Sequence, residues 1–132
     1  RVSMKKILLI LAVSSIVTFA SADEKTIKET MRLMTEGMAQ IQHGFAYSNR
    51  MDVEKGIKIL EDANAIFSKV DVSTFIEHNN KIQVTKNINE NLAENLDAFK
   101  KAVKAQNYTE STKYYGKVTS NCIACHRTIR GW

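Results

Sequence analysis

Cys122 and Cys125, followed at once by His126, are the residues whose types and spacing could carry chemistry. Two thiols at this spacing can add across the two vinyl groups of a haem, and the adjacent histidine can take one axial position on its iron. On a helix the three side chains fall within about one turn and face the same side. The motif therefore predicts one covalently attached haem c per chain, with His126 as an iron ligand.

Three other roles for the two cysteines fit this sequence less well. A thioredoxin-type dithiol lies at the start of a helix beside a strand, whereas this pair lies near the end of a predicted helix. A zinc site usually needs a fourth ligand. A disulfide between residues three apart in a regular helix would be strained. Haem attachment is therefore the interpretation that the motif favours.

Helices are the elements predicted to position this motif. The chain has no proline and five glycines, so few residues would interrupt a helix. Apolar residues recur at intervals of three and four along four segments, as in amphipathic helices. The predicted helices cover residues 24–47, 52–70, 82–104 and 107–131. Four such helices with short links predict an all-α fold, an antiparallel up-down-up-down four-helix bundle.

Several helix starts can be predicted from capping residues. Asp52 is the predicted N-cap of the second helix. Thr74 with Glu77 predicts a capping box, either for a short helix or for an earlier start of the third, and Asn107 with Glu110 predicts another for the fourth. The predicted inward faces of the first three helices are Ile27, Met31, Met34, Met38, Ile41 and Phe45; Val53, Ile57, Leu60, Ala63 or Asn64, and Phe67; and Ile88, Leu92, Leu96, Phe99 and Val103.

The N-terminal segment is typical of a secretory signal peptide. Lys5 and Lys6 precede an apolar run over residues 7–19, and residues 20–22 (Ala-Ser-Ala) match a cleavage site. The run is shorter than the roughly 20 apolar residues that span a bilayer, although a retained N-terminal anchor helix is the alternative. We expect residues 1–22 to comprise the leader and its upstream residues, and residues 23–132 to form one periplasmic domain without a stable membrane anchor.

The charge balance of the predicted mature domain is close to neutral. The whole chain carries +5, but three of its 19 lysines and arginines lie in the leader, which leaves 16 against 14 acidic residues. This balance predicts no nucleic-acid partner. No Ser-His-Asp arrangement or metal-ligating cluster is evident in the sequence, so we predict that the protein is not an enzyme.

Met31 is the predicted second axial ligand of the iron. In an antiparallel bundle the end of the last helix lies beside the start of the first, and Met31 and His126 fall at similar depths from the two ends of the mature chain. Met34 is the next candidate, one turn deeper, and is predicted to line the pocket with Met38. The alternative for all three methionines is ordinary packing in the apolar core.

The remaining histidines are predicted to be surface residues. His43 lies near the far end of the first helix, and His78 falls in the least regular segment, residues 71–80. Neither histidine is expected to lie close enough to the iron at His126 to bind it.

The mature domain resembles the class II c-type cytochromes, the group that includes cytochrome c prime and its low-spin relatives. The most specific part is residues 115–130, which contain the haem motif and Arg130, similar to a basic residue that the family carries near the proximal side. The pattern Met31-x-x-Met34-x-x-x-Met38 resembles that of the low-spin branch, in which the first methionine is the axial ligand.

The resemblance implies a fold, a cofactor and two possible activities. Cytochromes c prime carry leucine or another non-ligating residue at the slot of Met31, which leaves the iron five-coordinate and open to nitric oxide or carbon monoxide. The resemblance also implies a homodimer through the first two helices. Two departures concern the haem propionates and the dimer interface: Ile27 occupies a slot that often holds arginine, and residues 71–80 lack the usual Trp and Pro.

Three hypotheses follow for function. The first is a periplasmic electron carrier with His/Met-ligated haem, serving redox partner proteins through a weakly basic surface at Lys113, Lys117, Arg127 and Arg130. These cations could equally be a solvated helix end. The second is a five-coordinate protein that binds small gas ligands, with Met31 as pocket lining. The third is an exported helical binding or redox module without haem.

Overall fold

The computed structural model describes residues 18–76 and 79–131 of the chain. Within these ranges the protein consists of four α-helices and one 3₁₀ turn, without a strand. The helices are α1 (Thr18–Ala46), α2 (Arg50–Phe67), α3 (Asn79–Lys104) and α4 (Tyr108–Arg130), and the 3₁₀ turn is Val72–Thr74. The predicted all-α fold is therefore confirmed, and the helices form a four-helix bundle. Among the described helices, none is sufficiently long and apolar to span a bilayer.

The first helix begins earlier than predicted. The sequence prediction placed its start near Glu24, at the expected mature terminus, but Thr18, the first described residue, is already helical. No glycine or proline interrupts residues 18–24, so the helical pattern extends through them. Most of the predicted leader, residues 1–17, lies outside the described residues. Cleavage after Ala22 would remove the first five residues of α1.

The link between α1 and α2 is a tight corner with an asparagine cap. Ser48 adopts a left-handed conformation (φ 52°), and the Asn49 amide N–H donates to the Gly44 carbonyl at 2.7 Å. The Asn49 side-chain oxygen accepts from the backbone N–H groups of Met51 and Asp52. The prediction of Asp52 as N-cap was therefore wrong: the helix already begins at Arg50, with Asn49 as its N-cap, and Asp52 lies within the first turn.

The link between α3 and α4 repeats this design. Gln106 has a left-handed φ of 57°, and the side-chain oxygen of Asn107 accepts from the Glu110 amide at 3.1 Å. Gly131 ends α4 with a left-handed φ of 70°, a conformation that glycine adopts without a Cβ penalty. The predicted cap at Asn107 and the predicted end at Gly131 are both confirmed.

The segment between α2 and α3 differs from its prediction. Helix α2 ends at Phe67 rather than Val70. Asp71, not Thr74, caps the following 3₁₀ turn by accepting from the Ser73 amide. The hydroxyl of Thr74 instead donates to the carbonyl of Asp71. Glu77, the other half of the predicted capping box, lies outside the described residues.

The apolar core forms along the middle of the bundle. The predicted inward faces of α2 and α3 are confirmed except that Ile88 is only half-buried, at the edge of a cavity. The buried core cluster comprises Ile41, Val53, Ile57, Leu60, Leu92, Leu96, Phe99, Val103 and Val118. A second cluster of Phe67, Val72 and Ile76 packs beneath the α2–α3 link. The link is therefore irregular in shape but anchored by buried side chains.

The helices pack as two pairs. Among the described residues, α1 packs along α2 and α3 packs along α4, whereas the contact between α2 and α3 is less extensive. Gly56 allows a close approach within the first pair, because a Cβ there would lie 2.6 Å from the Gly37 carbonyl oxygen and from Ile41 Cγ1. The two backbones can approach this closely only while position 56 has no side chain.

Replacing Gly56 with alanine is expected to destabilise the protein, with Gly116→Ala as the matched control. The new methyl group at position 56 would force α1 and α2 apart, which should lower the free energy of unfolding by about 1–3 kcal/mol. At Gly116 in α4 a Cβ meets nothing within 4 Å, so alanine should stabilise by about 0.5–1 kcal/mol. Urea denaturation followed by circular dichroism measures both. Equal changes in the two variants would contradict this account of α1–α2 packing.

Candidate cofactor site

One cavity of about 240 Å³ lies among all four helices. It brings together most of the residues singled out from the sequence. The lining consists of Met31, Met34, Thr35 and Met38 of α1, Asn64 and Phe67 of α2, Ile88, Asn89 and Leu92 of α3, and Asn121, Cys122, Cys125 and His126 of α4. Residues that lie far apart in sequence, at the two ends of the domain, thus share one site.

The α1 wall is built from the three methionines of the predicted stripe. Met31, Met34 and Met38 are half-buried, whereas Ile41, one turn further along, has no exposed surface. The stripe therefore changes from solid core at Ile41 to cavity wall at the methionines. Long, polarisable methionine side chains adapt to an irregular wall, and their thioether sulfurs are soft metal ligands.

The α4 wall is one turn of helix. Cys122, Cys125 and His126 are each half-buried, and the two thiols are not joined to each other. Burial raises the pKa of the Cys122 thiol. Burial, followed by the neighbouring Cys122, raises the pKa of Cys125 to about 11. Catalytic dithiols have lowered pKa values, so this environment favours thiols that serve as attachment points.

The raised thiol pKa predicts slow alkylation of the haem-free protein. At pH 7 the thiolate fraction of Cys125 should be about a hundredfold below that of an ordinary cysteine, and greater nucleophilicity offsets this only in part. We expect iodoacetamide to label the folded chain about tenfold or more slowly than the urea-unfolded chain, with the rate rising as the pH approaches 11. Mass spectrometry measures the labelling. Equal rates for folded and unfolded chains at pH 7 would contradict the assigned environment.

Two pairs of asparagines tie α3 to its neighbours beside the cavity. Asn64, only 4% exposed, donates to the Asn89 carbonyl at 3.2 Å and accepts from the side-chain amide of Asn89. The Asn95 amide donates to the Asn121 side-chain oxygen at 2.8 Å. Because Asn121 directly precedes Cys122, this bond fixes the turn of α4 on which the cysteines begin. The pairs thus position the cavity walls relative to one another.

Sequence reasoning missed most of these asparagines. Asn64 was predicted as an alternative to Ala63 on the inner face of α2, and both residues prove to be buried. Asn89, Asn95 and Asn121 were not predicted to matter. Their only sequence feature is an amide on or beside an apolar helix face, and its partner lies about 25 residues away.

Other predicted residues lie away from the cavity lining. Arg130 is exposed in the last turn of α4. His43 is exposed and pairs through Nδ1 with Asp52 at 3.1 Å, near the α1–α2 corner. His78 lies outside the described residues. Met31 and Met34, together with the α4 motif, are the predicted site residues that line the cavity.

The lining fits a large apolar prosthetic group held at one side. The described lining residues include no Asp, Glu, Lys or Arg, and the polar ones are a threonine, three amides, two thiols and one imidazole. Imidazole and thioether suit iron within a porphyrin, and two thiols on one turn suit its covalent attachment. Within the described ranges, no three His, Cys, Asp or Glu side chains group as a metal-ion site would.

No protein-family model, no curated protein and no solved structure matches the chain. The motif in α4 and the cavity that it lines are therefore the features that bear on function.

Proposed function

We propose that this chain is an exported c-type cytochrome that carries electrons through one covalently bound haem. The observation that carries the proposal is that the Cys-x-x-Cys-His turn of α4 and Met31 of α1 line the same apolar cavity. The resemblance of the sequence to class II c-type cytochromes of the low-spin branch supports the same conclusion, and the leader-like residues 1–22 support a periplasmic location.

The proposed topology is an antiparallel up-down-up-down bundle. Gly44 lies against Val53 near the α1–α2 corner, and Gly37, two turns earlier in α1, lies against Leu60, two turns later in α2. The α2–α3 and α3–α4 contacts have the same inverse register, in the pairs Glu61–Lys100 and Asn64–Asn89, and in Phe99–Tyr115 and Asn95–Asn121. These registers support helices that alternate in direction.

Four residues would hold the haem. Cys122 and Cys125 would bind it through thioether bonds, and His126 and Met31 would ligate its iron. Bound in this way, haem supplies a one-electron ferric/ferrous couple. The thioether of Met31 would favour the reduced state relative to a second imidazole, and it is a neutral ligand in both oxidation states.

The remaining lining residues would exclude water and charge from the site. Met34, Met38 and Phe67 give an apolar surface, and the asparagines are hydrogen-bonded in the pairs Asn64–Asn89 and Asn95–Asn121. The described lining residues include no carboxylate, and such a lining disfavours additional positive charge, so it too favours the reduced state. The hydrogen bonds that join α3 to α2 and to α4 would limit rearrangement when the charge changes.

The second candidate is a protein that binds nitric oxide or carbon monoxide. It is favoured by the presence of a methionine on the cavity wall at position 31, since so flexible a side chain can turn aside for a small ligand. The same fold, anchors and histidine serve this function. The two candidates differ only in whether the Met31 sulfur or a gas molecule occupies the second axial position.

The visible spectrum of the protein, matured by co-expression with a cytochrome maturation system, tests both candidates. Sharp, split bands on reduction, unchanged by carbon monoxide, with a far-red sulfur-to-iron band in the oxidised form, would support the electron carrier. A broad high-spin spectrum that shifts with carbon monoxide would favour gas binding. A chain that acquires no covalent haem would overturn both and support a helical module without haem.

A further inference from the structure

Charge is unevenly distributed along the chain. Residues 111–132 contain four basic residues and no acidic one, whereas residues 23–110 contain 12 basic and 14 acidic residues. The helix that carries the haem motif is therefore positive, and the rest of the predicted mature domain is slightly negative. The net charge of the predicted mature domain is close to zero, but its positive charge is concentrated in α4. The domain therefore has a positive side.

The basic residues share one exposed side of α4. We call this surface the basic face, and it consists of Lys113, Lys117, Ile123, Arg127 and Arg130. All five side chains are exposed, and Ile123 is 45% exposed. Helical spacing places them together on the side that turns away from the cavity. Between them the helix carries only small exposed residues at positions 116, 120 and 124, so no other large side chain covers Ile123 on this side of α4.

Most charge on the basic face is not neutralised within the protein. Lys113 pairs with Glu110, but in the described part of the chain Lys117, Arg127 and Arg130 form no ion pair. The ammonium groups of Lys113 and Lys117 lie 5.3 and 5.0 Å from the centre of the Tyr114 ring, which holds both near the helix surface. The helix macrodipole explains cations only in the last turn, so it does not account for the two lysines.

We infer that the basic face is the docking surface for an acidic redox protein, an inference that rests on the proposed function. Cations around an exposed apolar residue suit a partner with carboxylates around an apolar patch. Ile123 is bonded directly to Cys122, so the centre of the face is covalently next to a haem anchor. Only α4, about 10 Å across with its side chains, separates the face from the cavity.

The electron balance of the proposed encounter is simple. A reduced acidic partner loses one electron and the ferric iron gains it, without transfer of a proton or exchange of a bond. An oxidised acidic partner would take the electron back from ferrous iron at the same surface. Electrostatic attraction would mainly increase the rate of encounter, and salt would weaken it.

The test uses the matured holoprotein and reduced plant-type [2Fe–2S] ferredoxin as an acidic one-electron donor. Stopped-flow absorbance follows haem reduction between ionic strengths of about 10 and 200 mM. We expect the wild-type rate to fall about tenfold or more over this range. Lys117→Glu with Arg127→Glu should slow the low-salt rate about tenfold or more and remove most of the salt dependence.

Lys55→Glu with Lys69→Glu is the matched control, because both lysines are exposed and lie outside α4. It changes net charge equally and should leave the rate within about twofold. Reduction by uncharged reduced riboflavin should be equal in all three proteins, which shows that the haem itself is unaltered. Equal slowing by the two double variants, or a wild-type rate indifferent to salt, would overturn the inference.

Two further outcomes are distinguishable from these. If the wild type binds vesicles of phosphatidylcholine and phosphatidylglycerol, and the α4 variant loses this binding while its ferredoxin rate is unchanged, the face binds an anionic membrane surface and the inference is overturned. Absence of covalent haem in the spectrum recorded before the kinetics would defeat the proposed function, and the docking inference with it.

Discussion

Replacing both Cys122 and Cys125 with serine is expected to abolish covalent haem attachment completely. These are the only two cysteines in the chain, so no other sulfur can form a thioether bond. After co-expression with the maturation system, the wild type should gain the mass of one haem and retain peroxidase staining in a denaturing gel. The double variant should show neither.

The single variants and the helix content serve as controls for this result. Cys122→Ser and Cys125→Ser should each retain at most one thioether bond, with a lower yield than the wild type. Circular dichroism of the haem-free double variant should match that of haem-free wild type, because serine removes no core side chain at these half-buried positions. Covalent haem in the double variant, or none in the wild type, would contradict the assignment of the motif.

The helical architecture was largely predictable because its determinants are local. The three-and-four spacing of apolar residues predicted the buried faces of α2 and α3, and Asn107 and Gly131 predicted the limits of α4. The start of α2 was missed because two residues three positions apart, Asn49 and Asp52, can each act as a cap. The structure resolves the choice in favour of Asn49, whose preceding residue makes the corner.

The irregular link between α2 and α3 could not be derived from local preferences. Its conformation depends on Val72 and Ile76, which are both 5% exposed and pack with Phe67. This contact forms only when the ends of helices meet. Thr74 and Glu77 have the spacing of a capping box. The residue that caps the 3₁₀ turn is instead Asp71, which accepts a hydrogen bond from the Ser73 amide. Tertiary burial and a closer competing cap therefore decide the structure here.

The candidate site also has one part that the sequence predicts and another that it does not. The Cys-x-x-Cys-His turn lies within five residues, so its sequence alone predicts that the side chains share one side of a helix. The asparagine pairs could not be predicted, because Asn64 and Asn89 become partners only through the packing of α2 on α3. Buried amides are costly unless they are paired, which is why this pair specifies the helix register beside the cavity.

The half-buried methionines show what a periodic apolar pattern can predict and what it cannot. The stripe from Met31 to Phe45 predicted an apolar face, but periodicity cannot distinguish a face packed in the core from one that lines a cavity. Only Ile41 in that stripe is completely buried. The methionines of α1 line the cavity together with the cysteines and histidine of α4, whereas Ile41 belongs to the same buried cluster as Val118 from an earlier turn of α4.

Replacing Met31 with leucine is expected to convert the matured protein from a low-spin to a high-spin haem protein. Leucine is apolar and similar in volume, so it should preserve the α1 wall with a cost below about 1.5 kcal/mol, but it offers no sulfur to the iron. The far-red sulfur-to-iron band should disappear, the reduction potential should fall, and carbon monoxide should bind within the mixing time of a stopped-flow experiment.

Met34→Leu is the matched control, because it makes the same change one turn away on the same cavity wall. It should retain the low-spin spectrum and remain indifferent to carbon monoxide. If Met34→Leu loses the sulfur band and Met31→Leu keeps it, the ligand is the deeper methionine. If the wild type already binds carbon monoxide and Met31→Leu changes nothing, the second axial position is open, and gas binding becomes the better account of this cavity.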